Sequence, residues 1–159
     1  MGCGNIIRIL VGNIKSSDLS SEAVVQMLPR ILLADDMQEI LDAVSCVLDG
    51  EGEIVGYAED GEQVLELVQA KSPDLVVLDL FMPVLNGIET AKRLRASSPH
   101  IKVLFLTVCD DSDFVETAIS AGALGYVLKS CLTTDLVPAI HVVLQNCVYI
   151  SPSLVPCQS

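Results

Sequence analysis

The sequence predicts an α/β protein: five parallel strands in one doubly wound sheet, order 2-1-3-4-5, with helices on both faces. Three observations predict it. Short apolar runs alternate with stretches of helical periodicity from residue 30 onward. The connections between them are short and carry turn-forming residues such as Asn86-Gly87. The run Leu75-Val76-Val77-Leu78 is apolar throughout, as a strand covered on both faces requires. Strand-helix units of this kind give a parallel sheet. Right-handed crossovers leave few topologies, of which 2-1-3-4-5 is a common one.

Each element has its own warrant. Arg30 to Ala34 reads as the first strand. Met37 to Leu48 reads as a helix with Ile40, Leu41, Val44, Val47 and Leu48 on one face. Ile54 to Ala58 is the second strand, and Glu62 to Ala70 a helix with Val64, Leu65 and Val68 inward. Leu75 to Leu78 is the third strand, followed by a helix over Ile88 to Ala96. Lys102 to Leu106 is the fourth strand. Asp113 to Ala121 is a helix with Ser112 as capping candidate and Gly122 as its stop. Gly125 to Leu128 is a short fifth strand. Thr134 to Leu144 is the last helix, with Thr133 as N-cap and Pro138 near its first turn.

Two segments lie outside this pattern. Residues 147–159 hold Pro152 and Pro156 and read as a linker or frayed tail. In residues 1–29, Arg8-Ile9-Leu10-Val11 resembles Arg30-Ile31-Leu32-Leu33, and Leu19 to Leu28 has the pattern of a short helix. A degenerate copy of the first strand-helix unit, a non-native leader and chance similarity all fit. The expected organisation is an extension over 1–29, one domain over 30–146 and a tail over 147–159.

Composition narrows the function. The 159 residues are 51% hydrophobic and 19% charged, which suits one packed domain rather than a disordered chain. A net charge of −12 argues against a segment that grips nucleic acid or an anionic membrane. It is compatible with a divalent-cation site. The six cysteines form no CxxC and no zinc spacing, so they read as reduced thiols. No apolar run approaches the ~20 residues of a membrane span. Met1 to Ile14 shows no signal-peptide cleavage site. A cytoplasmic protein is expected.

The chemistry gathers at strand ends. The first strand ends in Asp35-Asp36, the third in Asp79, the fourth in Thr107 and the fifth in Lys129. In the predicted fold all of these lie at the carboxyl edge of the sheet, where ligands bind. Singly each has an ordinary explanation: acids before a helix complement its dipole, and a lone Lys is usually solvated. Together they make three carboxylates, a hydroxyl and an amine. Crowded carboxylates repel, and Mg²⁺, which prefers hard oxygen ligands, offsets the repulsion. A carboxylate beside such an ion and an ammonium can attack a phosphoryl group.

These residues resemble the receiver domains of two-component response regulators. The resemblance is carried by Ile31-Leu32-Leu33-Ala34-Asp35-Asp36, by Val77-Leu78-Asp79-Leu80-Phe81-Met82-Pro83 with Gly87, by Leu106-Thr107, and by Gly125-Tyr126-Val127-Leu128-Lys129. It spans roughly residues 29–150 and implies the flavodoxin-like receiver fold. It implies Asp79 as phosphoacceptor. It implies a Mg²⁺ site of Asp35, Asp36, Asp79 and the Phe81 carbonyl, with Asp36 and Asp79 preferred as direct ligands and Asp35 acting through water. Lys129 would pair with the phosphoryl group, Thr107 would be the switch hydroxyl, and Tyr126 the coupled aromatic. Many receivers carry proline after the lysine; here Ser130 follows it.

Asp135-Leu136-Val137-Pro138-Ala139-Ile140 and Gln145 to Pro152 look like the receiver end and linker of NarL/LuxR-type regulators. The implied partners are a sensor histidine kinase and a second copy, through the face of the fourth helix, fifth strand and fifth helix. The implied output is transcription through a DNA-binding domain, for which the chain to Ser159 is too short; a stand-alone receiver is the alternative. No enzyme is implied beyond gain and loss of phosphate at Asp79. Phe81 and Cys109, two residues after Asp79 and Thr107, occupy positions that tune such sites and predict a long-lived phosphoryl state.

Other classes fit worse. A Mg²⁺-dependent phosphohydrolase of similar topology needs a DxD at the first strand, and here the acids are adjacent. A flavodoxin-like cofactor binder needs a hydroxyl- or Gly-rich phosphate loop where Asp35-Asp36-Met37 would repel phosphate. A pseudo-receiver would lack a key residue, and none is missing. His100 reads as a loop residue, His141 as a helix residue, Met82 as loop packing, and Asp110, Asp111 and Asp113 as a helix start.

Overall fold

A computed structural model describes residues 28–155. The order is β1 (Arg30–Ala34), α1 (Gln38–Val47), β2 (Glu53–Ala58), α2 (Gly61–Lys71), β3 (Leu75–Leu78), α3 (Gly87–Ser97), β4 (Lys102–Thr107), α4 (Ser112–Ser120), β5 (Gly125–Leu128), α5 (Leu132–Leu144) and β6 (Tyr149–Ile150). All strand pairs are parallel, in the order β2-β1-β3-β4-β5-β6. The expected five-strand order is present, and β6 extends it beyond β5.

Strand alternation sorts the core into two layers. Leu32, Val76, Leu78, Val103, Phe105 and Tyr126 face one side, where Val64 and Val68 of α2, Ala91 and Leu94 of α3 and Ala118 of α4 cover them. Ile31, Leu33, Leu75, Val77, Leu104 and Val127 face the other, against Leu41 and Val44 of α1 and Leu136, Ala139, Ile140 and Val143 of α5. The central strands therefore have no polar face, which is why they read as continuous apolar runs. β2 lies at an edge, and its Glu53 and Tyr57 are exposed.

Local chemistry starts and stops the helices. Asp60 caps α2 by accepting the Gln63 N–H at 2.9 Å, and the Gln63 side chain accepts the Glu59 N–H in return. Asn86 caps α3 through the Glu89 N–H. Asp60→Ala is expected to cost about 1 kcal/mol in urea unfolding, and an unchanged midpoint would mean that water replaces the cap without loss. Gly122, at φ +106, closes α4; its N–H donates to Ile119 and that of Ala123 to Ala118.

Several boundaries differ from the sequence expectation. α4 is capped by Asp111, whose carboxylate accepts the Asp113 N–H, so Ser112 is already helical. α5 grows out of a 3₁₀ turn over Lys129–Cys131 and starts at Leu132, so Thr133 is inside it and caps nothing. Pro138 consequently lies in the second turn of α5 rather than near its start. It is exposed, as is Thr134, so water can serve the carbonyl that lacks an i+4 donor. After α5 come β6 and a 3₁₀ turn over Pro152–Leu154. The similarity at Arg8 to Val11, the helical pattern to Met27, and Pro156 onward lie outside the described residues.

Candidate functional site

The carboxyl edge of the sheet brings the predicted residues together. Asp35 follows β1 and donates its N–H to the Ala58 carbonyl of β2. Its side chain accepts the Met37 N–H at 2.9 Å, which ties it to the entry of α1. Asp79 follows β3, and its N–H donates to Ala34 at 3.1 Å, so the two acids are locked to adjacent strands. Asp35, Asp36 and Asp79 each place one carboxylate oxygen within 4.8 Å of the others. Asp35 and Asp79 are buried and Asp36 is exposed.

Lys129, just past β5, reaches into this cluster. Its ammonium lies 2.6 Å from Asp35 Oδ2 and 3.1 Å from Asp79 Oδ2, with about nine-tenths of the side chain buried. Asp79 Oδ1 is buried and has no hydrogen-bond partner. One ammonium among three carboxylates leaves the cluster two charges negative. An orphaned carboxylate oxygen in such a set fits a hard cation or an electrophile.

Protonation follows from this crowding. Burial, aided by the Asp35 charge, holds the Asp79 carboxyl above the usual 3.8, and Lys129 only partly offsets it. Burial pulls the Lys129 ammonium down, but Asp35 and Asp79 outweigh it and its pKa rises overall. A carboxyl with a raised folded pKa binds its proton more tightly when folded. Its contribution to stability is full below the unfolded value and is lost as pH rises through the folded one. Asp79→Asn does not titrate, so in metal-free buffer its urea midpoint is expected to gain on the wild type as pH rises from about 4 through the raised folded value of Asp79. A constant gap across that range would mean that Lys129 fully neutralises Asp79.

Thr107 ends β4, is fully buried, and accepts the Cys109 N–H on Oγ1 at 3.3 Å. Tyr126 is also fully buried, and its hydroxyl donates to the Cys109 carbonyl at 2.8 Å. Burial raises the phenol pKa, and the bond to Cys109 adds to this. The backbone of Cys109 thus joins both residues of the expected switch pair. The sequence singled out Cys109 by its spacing from Thr107; which backbone atoms it offers could not be read from residue type.

The loop from Leu80 to Asn86 links Asp79 to α3. Phe81 is half exposed and packs edge-on against Phe114 of α4, with ring centroids 5.6 Å apart and planes at 73°. Val84 holds φ +69 in this loop, a costly conformation for a β-branched residue, at a position 78% exposed. Gly87 donates its N–H to Leu80 at 2.8 Å and brings α3 against the Asp79 backbone. Phe114 and Gly61, which packs under Leu85 and Thr90, were not among the sequence candidates. Met82 is buried as loop packing, His100 is exposed, and His141 pairs at the surface with Glu51 at 3.4 Å.

The profile of the family described as "Response regulator receiver domain" matches residues 31–141, most of the chain. The chain belongs to the response regulator receiver family. It is 37% identical over 127 residues to the transcriptional regulatory protein DegU of Brevibacillus brevis, covering 79% of this chain and 54% of that protein. It is 37% identical over 128 residues to the nitrate/nitrite response regulator NarL of Escherichia coli K12, covering 79% and 59%. Among solved structures it resembles a LuxR-family two-component response regulator from Aurantimonas sp. SI85-9A1, with TM-score 0.76, 31% identity, and coverage of 80% and 92%. It also resembles the receiver domain of a putative NarL from Mycobacterium tuberculosis, with TM-score 0.68, 32% identity, and coverage of 71% and 93%. The relatives are NarL/LuxR-type regulators, and the receiver chain spans little more than half the length of the curated ones. No helix among the described residues is long and apolar enough to cross a membrane.

Proposed function

We propose that this receiver accepts a phosphoryl group on Asp79 from a sensor histidine kinase in the cytoplasm and thereby switches an output, transcription being the one its relatives' names suggest. The observation that carries this reading is the buried Oδ1 of Asp79, without a partner beside two further acids and an ammonium. Oδ1 attacks phosphorus, a phosphorus–oxygen bond forms, and the bond from phosphorus to the donor nitrogen breaks, its electrons leaving with the donor imidazole. Lys129, already at Asp79 Oδ2, pairs with a phosphoryl oxygen, and Thr107 follows the group with its hydroxyl. Asp35, Asp36, Asp79 and the Phe81 carbonyl would hold Mg²⁺. Bound there, the ion would neutralise charge on the transferring oxygens. Tyr126 reports the change through Cys109, and the face of α4, β5 and α5 would pair with a second copy.

Incubation of the full chain with acetyl phosphate and Mg²⁺ is expected to add one phosphoryl group by intact mass. Lys129→Ala is expected to accept it more slowly and to fail to switch. Phe81 and Cys109, two residues after Asp79 and Thr107, would limit the approach of water, so the phosphoryl group is expected to outlast seconds without a phosphatase. Loss within seconds would refute that role for the two residues.

A further inference from the structure

The chain after α5 returns to the site's supporting strand at Ser151, which has no exposed surface. Its N–H donates to the Tyr126 carbonyl at 2.9 Å. Its hydroxyl accepts the Leu128 N–H at 3.1 Å and donates to Asp135 Oδ2 at 2.8 Å. One residue therefore grips β5 on both sides of Val127. The β5–β6 ladder has only the pairs Gly125↔Tyr149 and Tyr126↔Ile150, after which the chain turns into the 3₁₀ turn at Pro152. The Ser151 hydroxyl supplies Leu128 with the acceptor that a longer strand would have offered. Asp135 consumes the hydroxyl hydrogen and so leaves its lone pair to Leu128. Asp135 is itself fixed on the first turn of α5, where the Thr134 hydroxyl donates to its other oxygen at 3.1 Å.

Leu128 matters because Lys129 follows it. A lysine side chain carries much rotamer freedom, so its ammonium can be held between Asp35 and Asp79 only from a fixed starting point. Across the sheet Leu128 is registered to Thr107. We propose that Ser151, oriented by Asp135, is a positioning residue that pins the Leu128 amide and so places the Lys129 ammonium at Asp79. The inference rests on the phosphoacceptor reading of Asp79. It gives the segment after α5 a share in the chemistry, although the cluster itself is built from Asp35, Asp36, Asp79 and Lys129.

The test is the rate of phosphoryl uptake by the full chain from saturating acetyl phosphate with Mg²⁺, followed by intact mass. Ser151→Ala is expected to slow it roughly tenfold, because the ammonium is misplaced rather than lost. In a Lys129→Ala background the same substitution is expected to change the rate less than about twofold. Asp135→Asn keeps an oxygen for the Ser151 hydroxyl and is expected to retain wild-type rate, whereas Asp135→Ala should imitate Ser151→Ala. If Ser151→Ala does not unfold cooperatively in urea, Asp135→Ala with the same Lys129→Ala comparison decides. An equal slowing with and without Lys129 would overturn the proposal, as would wild-type rates in both alanine variants. No uptake by the wild type itself would instead overturn the phosphoacceptor reading beneath it.

Discussion

Asp79→Asn is expected to gain no phosphoryl group from acetyl phosphate under conditions where the wild type gains one. The amide that replaces the carboxylate is a poor nucleophile and cannot form the acyl phosphate. The neighbouring acids are poorly placed to substitute. Asp35 gives Oδ2 to Lys129 and Oδ1 to the Met37 amide, so neither oxygen is free. Asp36 is exposed, where water competes with any donor. Only Asp79 combines burial with an oxygen that makes no hydrogen bond. A gain of one phosphoryl group that persists in Asp79→Asn would move the acceptor to Asp35 or Asp36. The loss should be complete over the hours of such an incubation, and circular dichroism of the variant should match the wild type. The substitution is nearly isosteric and leaves the Lys129–Asp35 pair in place.

Much of this site was legible because each of its chemical residues ends a strand. β1, β3, β4 and β5 are buried on both faces, so a polar residue at the close of an apolar run marks where the chain leaves the core. The parallel order then puts all four ends on one edge without any further information. What failed was the part set by competition between equivalent neighbours. Asp111 and Ser112 are both good caps, and only the path of the chain after Val108 selects the first. Thr133 lost to Cys131, which is not a capping residue, because the 3₁₀ turn after Lys129 already winds the chain into α5. β6 is two half-buried residues with no period to detect. It exists because β5 presents an open edge, a fact of the assembled sheet rather than of Tyr149 or Ile150. Ser151 was invisible for the same reason: a serine before a proline reads as a turn until Leu128 and Asp135 are seen on either side of it.

Gly87→Ala is expected to destabilise the protein by about 3 kcal/mol, as overpacking against rigid atoms does. A β-carbon there would collide with the Asp79 carbonyl oxygen, and it would sit 2.9 Å from Leu80 Cα and 2.9 Å from Phe105 Cε1. Two of these three atoms are backbone, and the third belongs to a fully buried ring. None can rotate aside. The strain has one outlet, withdrawal of α3 from β3, and that breaks the Gly87–Leu80 hydrogen bond of 2.8 Å that closes the loop. The same withdrawal shifts the backbone of Asp79, so phosphoryl uptake should fall together with the thermal midpoint, which should drop by roughly 10 °C. Gly56→Ala provides the contrast. Its nearest neighbours are side-chain atoms of Leu32, at 3.1 Å, and Leu67, at 3.7 Å, which can adjust. Its cost should stay below about 1 kcal/mol, and uptake should be untouched. Equal midpoints for the two variants would show that α3 can retreat from β3 freely. The close approach of Gly87 would then be a consequence of packing elsewhere rather than a requirement of the site.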